Sequence, residues 1–135
     1  MMVKKARQFE GWRKTAQAQA IITQGRGRIW INNVPVEVMQ PEFARLRVLT
    51  PLALAGELAN KVDIDVKVHG GGYMSRAEAC AMAVSRALVS WSGSEELKKR
   101  FMEYDRFLLV GDSRRTEPKK FGGPGPRRRK QKSYR

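Results

Sequence analysis

The sequence has one cysteine and one histidine in 135 residues. A lone cysteine, Cys80, excludes an intrachain disulfide and any cage built from cysteines. A lone histidine, His69, has no serine, cysteine or carboxylate constellation around it, which argues for a structural or RNA-facing role over a catalytic one. Long apolar runs are also missing. None approaches the roughly 20 residues of a membrane-spanning helix. The opening MMVKKARQFEGWRKT has no continuous apolar stretch of the signal-peptide kind, so a cytosolic chain is expected. No GxGxxG and no Gly-Lys-Ser/Thr occurs, so nothing marks a nucleotide site. No cofactor, no metal, no membrane and no small-molecule substrate is expected. Acids are scarce, at 13 against 27 Lys and Arg, for a formal net charge of +14. A pI near 10.6 leaves nucleic acid or an anionic surface as the partner classes.

What is present is charge, gathered at one end. Past Asp112 the chain reads SRRTEPKKFGGPGPRRRKQKSYR. Ten of the 27 basic residues lie here (Arg114, Arg115, Lys119, Lys120, Arg127, Arg128, Arg129, Lys130, Lys132 and Arg135), against the single acid Glu117. The first 112 residues hold the other 17 basic groups and 12 acids. Apart from Phe121 and Tyr134 the segment has almost nothing apolar to bury, so it cannot offset the entropy of ordering itself. Pro118, Pro124, Pro126 and three glycines rule out a regular helix or strand through its first half. Residues 1–112 are therefore read as a globular domain and 113–135 as a long, disordered basic extension that orders on a polyanion.

Within the domain, residues 4–14 carry Lys4, Lys5, Arg7, Arg13 and Lys14 around Trp12. They read as a solvated basic segment or a second phosphate-contacting surface. Residues 15–22 alternate, with Ala16, Ala18, Ala20 and Ile22 on one side and Gln17 and Gln19 on the other, a half-buried strand. Gln24-Gly25-Arg26-Gly27 is a turn presenting Arg26 and Arg28. Ile29 and Ile31 share a face opposite Trp30. Asn32-Asn33 tolerates positive φ and turns the chain. Val34, Val36 and Val38 alternate as a third strand, with Pro35 arguing for an edge. Two short helices should follow, one from Pro41 with Phe43, Leu46 and Leu49 buried, one from Thr50-Pro51. Arg45 and Arg47 fall off that stripe as exposed arginines.

Residues 62–68 give the clearest strand, with Val62, Ile64, Val66 and Val68 inward. Asp63 and Asp65 point outward. Carboxylates at i and i+2 suit metal or acid/base chemistry, but no third ligand lies near in sequence. Gly70-Gly71-Gly72 then precedes a helix, with Ser75 and Glu78 spaced as a capping box. Strand, glycines and helix N-terminus can hold a phosphate, more plausibly of an RNA backbone than of a free nucleotide. Ala77, Ala81, Val84, Leu88 and Trp91 make that helix amphipathic, with Cys80 an inert, mostly buried thiol. Ser94 caps a last helix, EELKKRFMEY, whose stripe is Leu97, Phe101 and Tyr104. Leu108, Leu109 and Val110 add a short strand or a final turn.

These motifs resemble, end to end, the universal small-subunit ribosomal protein number nine in its archaeal and eukaryotic form. Arg13-Lys14-Thr15-Ala16 is similar to the family's Arg-Lys-Thr-Ala, and Gly25-Arg26-Gly27-Arg28-Ile29 with Ile31-Asn32 to its Gly-x-Gly-x-Ile-x-Ile-Asn. Gly70-Gly71-Gly72 and Arg86-Ala87-Leu88-Val89 resemble its glycine turn and following helix. Asp112, Arg115, Glu117, Lys119 and Lys120, then Arg127-Arg128, Gln131 and Ser133-Tyr134-Arg135, resemble its terminus. The chain departs at Ser75-Arg76, where the family usually has Gly-Gln, and at Gln19, where arginine is common.

The resemblance implies an α/β fold, a two-layer sandwich, here with a four-stranded, mostly antiparallel sheet. It implies a place in the small-subunit head beside neighbouring head proteins, cytoplasmic within the ribosome. The rRNA partner is the 3′ major domain. Arg13, Lys14, Arg26, Arg28, Gly70, Gly71, Gly72, Arg114, Arg115, Lys119, Lys120, Arg127, Arg128, Arg129 and Lys130 are the expected rRNA-binding residues. Lys132 and Arg135, supported by Gln131, Ser133 and Tyr134, would reach the anticodon stem-loop of the peptidyl-site tRNA. Such an arm suits the task, because arginine pairs with phosphate bidentately and phosphate contacts carry no sequence information. Two other readings stand beside this one: an enzyme acting on RNA through His69 or the Asp63/Asp65 pair, and a free-standing RNA-binding or chaperone-like protein.

Overall fold

The computed structural model describes residues 7–111, 113–115, 117–129 and 131–133. The expectations resting on Lys4, Lys5, Asp112, Lys130, Tyr134 and Arg135 fall outside them. The described residues form five strands and three α-helices in an α/β arrangement. The strands are β1 (Arg7–Arg13), β2 (Ala16–Gln24), β3 (Ile29–Ile31), β4 (Val34–Pro35) and β5 (Val62–His69). They lie side by side in the order β1-β2-β5-β3-β4. The pairs are antiparallel except β3 with β5, which run parallel. The helices are α1 (Glu42–Ala55), α2 (Tyr73–Ser92) and α3 (Glu95–Tyr104).

Alternation decides which face of the sheet is covered. Ala16, Ala18, Ala20 and Ile22 of β2 and Val62, Ile64, Val66 and Val68 of β5 are all buried, with Ile29 and Ile31 beside them. Burying each larger aliphatic side chain is worth about 1.5–3 kcal/mol. The small alanines let α2 lie close across β1, β2 and β5. Ala77, Ala81, Val84, Leu88 and Trp91 of α2 meet them, as the helical period predicts. α1 packs against α2, and α3 closes one end through Leu97 and Phe101. Asn32 and Asn33 take the positive φ their turn needs.

Five expectations are corrected. Residues 7–13 are not a solvated segment but an edge strand, with Phe9 and Gly11 facing the helices. The third strand stops after Val34–Pro35, because proline cannot continue the ladder. Val36–Val38 instead turn as a short 3-10 segment, which drops Val36 into the core and leaves Val38 exposed. The two short helices are one helix carrying Pro51 inside it. Its buried residues are Ala44, Val48 and Pro51, while Phe43 and Leu46 are 64% and 55% exposed. Apolar residues lie on several sides of α1, interrupted by Arg45 and Arg47, so its period cannot choose a face; Ala44 and Val48 turn inward, where α2 passes. At α2 the helix begins at Tyr73 after an extended Gly72, with no side-chain cap. The capping box is therefore absent, and Glu78 pairs with Arg13 instead. In α3, Ser94 does cap the helix by accepting from the Leu97 amide, but Tyr104 is exposed because the chain leaves the helix at Asp105.

Candidate nucleic-acid interface

The expected basic groups of the domain sit at two opposite ends of the sheet. At one end the β1–β2 turn, with Lys14 at φ 53°, meets the glycine turn after β5. A Cβ on Gly70, at φ 80°, would lie 2.6 Å from the Thr15 carbonyl oxygen, so only glycine allows this approach. Gly71, at φ 64°, is close to Ala16 as well, where a Cβ would lie 3.0 Å from the Ala16 Cβ. Gly72 opens into space, and the N-terminus of α2 starts there. A helix N-terminus leaves its first amide donors without intrahelical partners and carries the positive end of the helix dipole. The guanidinium of Arg13 is held by the Glu78 carboxylate at 2.7 Å, against the flank of α2.

The other end carries Arg26 and Arg28. β2 is nine residues long, so at about 3.3 Å per residue the two ends lie on the order of 27 Å apart. The loop is fixed through Asp63, whose Oδ1 accepts from the Arg26 and Arg28 amides at 2.9 and 3.0 Å. Gly25 and Gly27 donate to the Lys61 and Val62 carbonyls. The backbone is thus tied down and both arginine side chains are left to project. The Arg28 guanidinium lies 5.7 Å from the Trp30 ring centroid. Desolvation tends to raise the Asp63 pKa, but the Arg28 and Arg26 amides and the Arg28 charge outweigh it and hold the carboxyl below its ordinary value. Asp63 is therefore committed to holding the loop.

Among the described residues no group of three or more His, Cys, Asp or Glu could hold a metal ion. Burial pushes the Cys80 thiol up to about 12, which makes it inert at neutral pH. No helix of the described residues is long and apolar enough to cross a membrane.

Beyond α3 a 3-10 turn, Arg106–Leu108, leads into the basic extension. Asp105 accepts from Arg47 at 2.9 Å and caps this turn through the Phe107 amide. Arg114 stacks on the Phe107 ring at 5.5 Å. Arg115 shares a groove with Lys14, Gln17 and Gln19 at the glycine-turn end. The described residues from 117 onward form neither helix nor strand. They fold back on themselves, with Gly122 at φ 87° and the Glu117 carboxylate within 3.0 Å of Arg127 Nε and 3.7 Å of Lys120 Nζ. Lys119, Arg128, Arg129 and Gln131 surround a cleft of about 790 Å³ there.

The family described as "Ribosomal protein S9/S16" matches residues 11–135. The chain belongs to this family. Among its relatives is "Small ribosomal subunit protein uS9" of Desulfurococcus amylolyticus, 58% identical over 93% of this chain and 89% of the relative. Proteins of the same name in Methanothrix thermoacetophila and Halobacterium salinarum are 49% and 50% identical, each over 93% of this chain and 95% and 96% of their own lengths. The family is one of ribosomal proteins rather than enzymes.

Sequence reading missed the contacts of three residues that shape this surface. Arg76 bends back so that its Nε donates to the Gly70 carbonyl at 2.9 Å, clasping the glycine turn. Its position in the Ser75-Arg76 pair, where the family usually has Gly-Gln, was the available signal. Arg47 reaches Asp105 from another helix, and sequence spacing carries no trace of that. Arg86 sits on the β1 side of α2, where a helical repeat shows the position but not the partner.

Proposed function

We propose that this chain is a structural constituent of the small ribosomal subunit that binds rRNA of the 3′ major domain and sends its C-terminal arm to the peptidyl-site tRNA. The observation carrying the reading is the division of labour in the charge. The body fixes Lys14, the α2 N-terminus, Arg26 and Arg28 on turns at separate ends, while ten of the basic residues lie past residue 112, where the described residues form neither helix nor strand. A body with spaced phosphate contacts and a loose cationic arm suits a large folded RNA, which offers phosphates over many directions. The relatives, small ribosomal subunit proteins, support the same assembly.

Two experiments test it. The protein should sediment with small subunits in stoichiometric amount at moderate salt; a chain that stays at the top of the gradient is a free-standing RNA binder instead. Deleting residues 132–135 should leave subunit entry intact and weaken tRNA in the peptidyl site by about 1–3 kcal/mol, a net figure after ordering costs. Filter binding of tRNA to reconstituted subunits reads this out. Unchanged tRNA affinity and dissociation rate would remove the tRNA role, and failure to enter subunits would make the terminus an assembly anchor.

A further inference from the structure

We propose that Arg86 is a positioning residue that clamps the root of the basic arm to the edge strand β1 and so fixes where the arm leaves the body. Four observations converge on it. The Arg86 Nε donates to the Leu109 carbonyl at 3.1 Å. Its NH1 group donates to the Glu10 carbonyl at 3.3 Å, on β1. Its guanidinium plane lies 4.7 Å from the centroid of the Trp12 ring, also on β1. The same ring is met by Gly111, where a Cβ would stand 2.0 Å from the Trp12 Cζ2. One planar fork therefore joins α2, the edge strand and the departing segment, and the same tryptophan touches both the fork and Gly111.

The geometry of α2 makes this possible. Ala79, Met82, Ala83 and Arg86 follow the helical repeat along the side that faces β1. Gly11 sits under the first three, with the Ala79 carbonyl oxygen 2.3 Å from where its Cβ would be. That close approach brings Arg86 to the β1 carbonyls. The clamp then hands the chain on. Phe107 receives the guanidinium of Arg114, and Arg115 arrives in the groove with Lys14, Gln17 and Gln19. Leu109, Val110, Gly111, Arg114 and Arg115 thus belong to the body, and the free arm begins after them rather than at residue 113. A lysine at 86 could not do this, because an ammonium is a point charge without a planar face to stack or a fork to span two carbonyls.

The test is residue-resolved amide exchange on the full chain. In Arg86→Ala, the amides of Leu109, Val110, Gly111, Arg114 and Arg115 should exchange about tenfold faster or more, while those of Ile22, Ile64 and Leu88 stay within about twofold. Arg86→Lys should behave like the alanine variant. Gly111→Val, which forces the segment off Trp12 without touching α2, should give the same local pattern and carries the test if Arg86→Ala does not fold. Unchanged exchange at the arm's root, or acceleration spread evenly over β2, β5 and α2, overturns the clamp. A second arm rests on the RNA reading above: with an rRNA fragment as probe, the slope of log affinity against log salt should shrink by roughly 0.7–0.9 for each of Arg114 and Arg115 displaced. Local loosening with an unaltered slope keeps the clamp and overturns its steering of the arm. Wild-type protein that ignores the fragment sinks the RNA reading and leaves the exchange result standing.

Discussion

Gly11 occupies a position where an alternating strand would place a core side chain. Its Cβ would stand 2.6 Å from the Ala83 amide nitrogen and 3.1 Å from the Met82 Cβ, besides the Ala79 contact. Gly11→Val should therefore push α2 off β1. The expected cost is about 1–3 kcal/mol, as for other overpacked cores, read as a lower midpoint in urea unfolding with an unchanged slope; a wild-type midpoint would mean that the helix gives way freely. The same residue explains why β1 was illegible. Glycine contributes no hydropathy, and the lysines and arginines around it outweighed Phe9 in any reading of the segment. Spacing was equally mute at Ser75 and Glu78. The pattern of a cap was there, but the N-cap position is Gly72, three residues earlier, and Arg13 takes the glutamate. Asn32-Asn33 and Ser94 were legible because their chemistry acts on the backbone next to them.

Among the elements, β5 was the easiest to read and does the most. Its inward valines and isoleucine hold the core, and its outward Asp63 holds the arginine-bearing loop. Asp63 and Asp105 both have folded pKa values below the ordinary one. Burial pushes each up, and the Arg28 and Arg26 amides at Asp63 and the Arg47 guanidinium at Asp105 pull each further down. Groups depressed in the folded state contribute stability above the unfolded pKa and lose it as pH falls through the folded one. Thermal stability should thus be level near neutrality and decline below about pH 4, where an unfolded aspartate begins to bind protons. Asp63→Asn and Asp105→Asn should each soften that decline, by a small amount because both carboxylates are partly in water. Acid titrations of the melting temperature that superimpose on wild type would remove these carboxylates from the account. α1 shows the converse of β5. An element with apolar residues on several sides offers no preferred side to a periodicity argument, and the choice was made by the fit of Ala44 and Val48 against another helix.

For the whole molecule, charge was the legible property and its placement was not. Composition alone locates the cationic arm, since no folding is needed to count it. That Lys14 and Arg26 lie at opposite ends of the sheet depends on β2 running its full length between them, and that Leu109 and Gly111 bind to the body depends on a contact across the fold. Binding to rRNA fragments should fall steeply with salt. Six or more phosphate contacts at a slope of roughly −0.7 to −0.9 each imply about a thousandfold loss between low and moderate salt. A flat titration would mean recognition led by bases or shape. The strand order has a different consequence, for synthesis. β5 lies between β2 and β3, with Gln24 opposite Val62 and Ile31 opposite Val66, so the strand made last among the described five is the one that joins the others. Until His69 has been added, the β1–β2 and β3–β4 ribbons have no shared neighbour, and two-stranded ribbons are marginal in water. The inward alanines of β2 stay bare until α2 follows. Closure therefore waits on a long-range pairing late in the chain, and the arm is added to a body that has just become able to close.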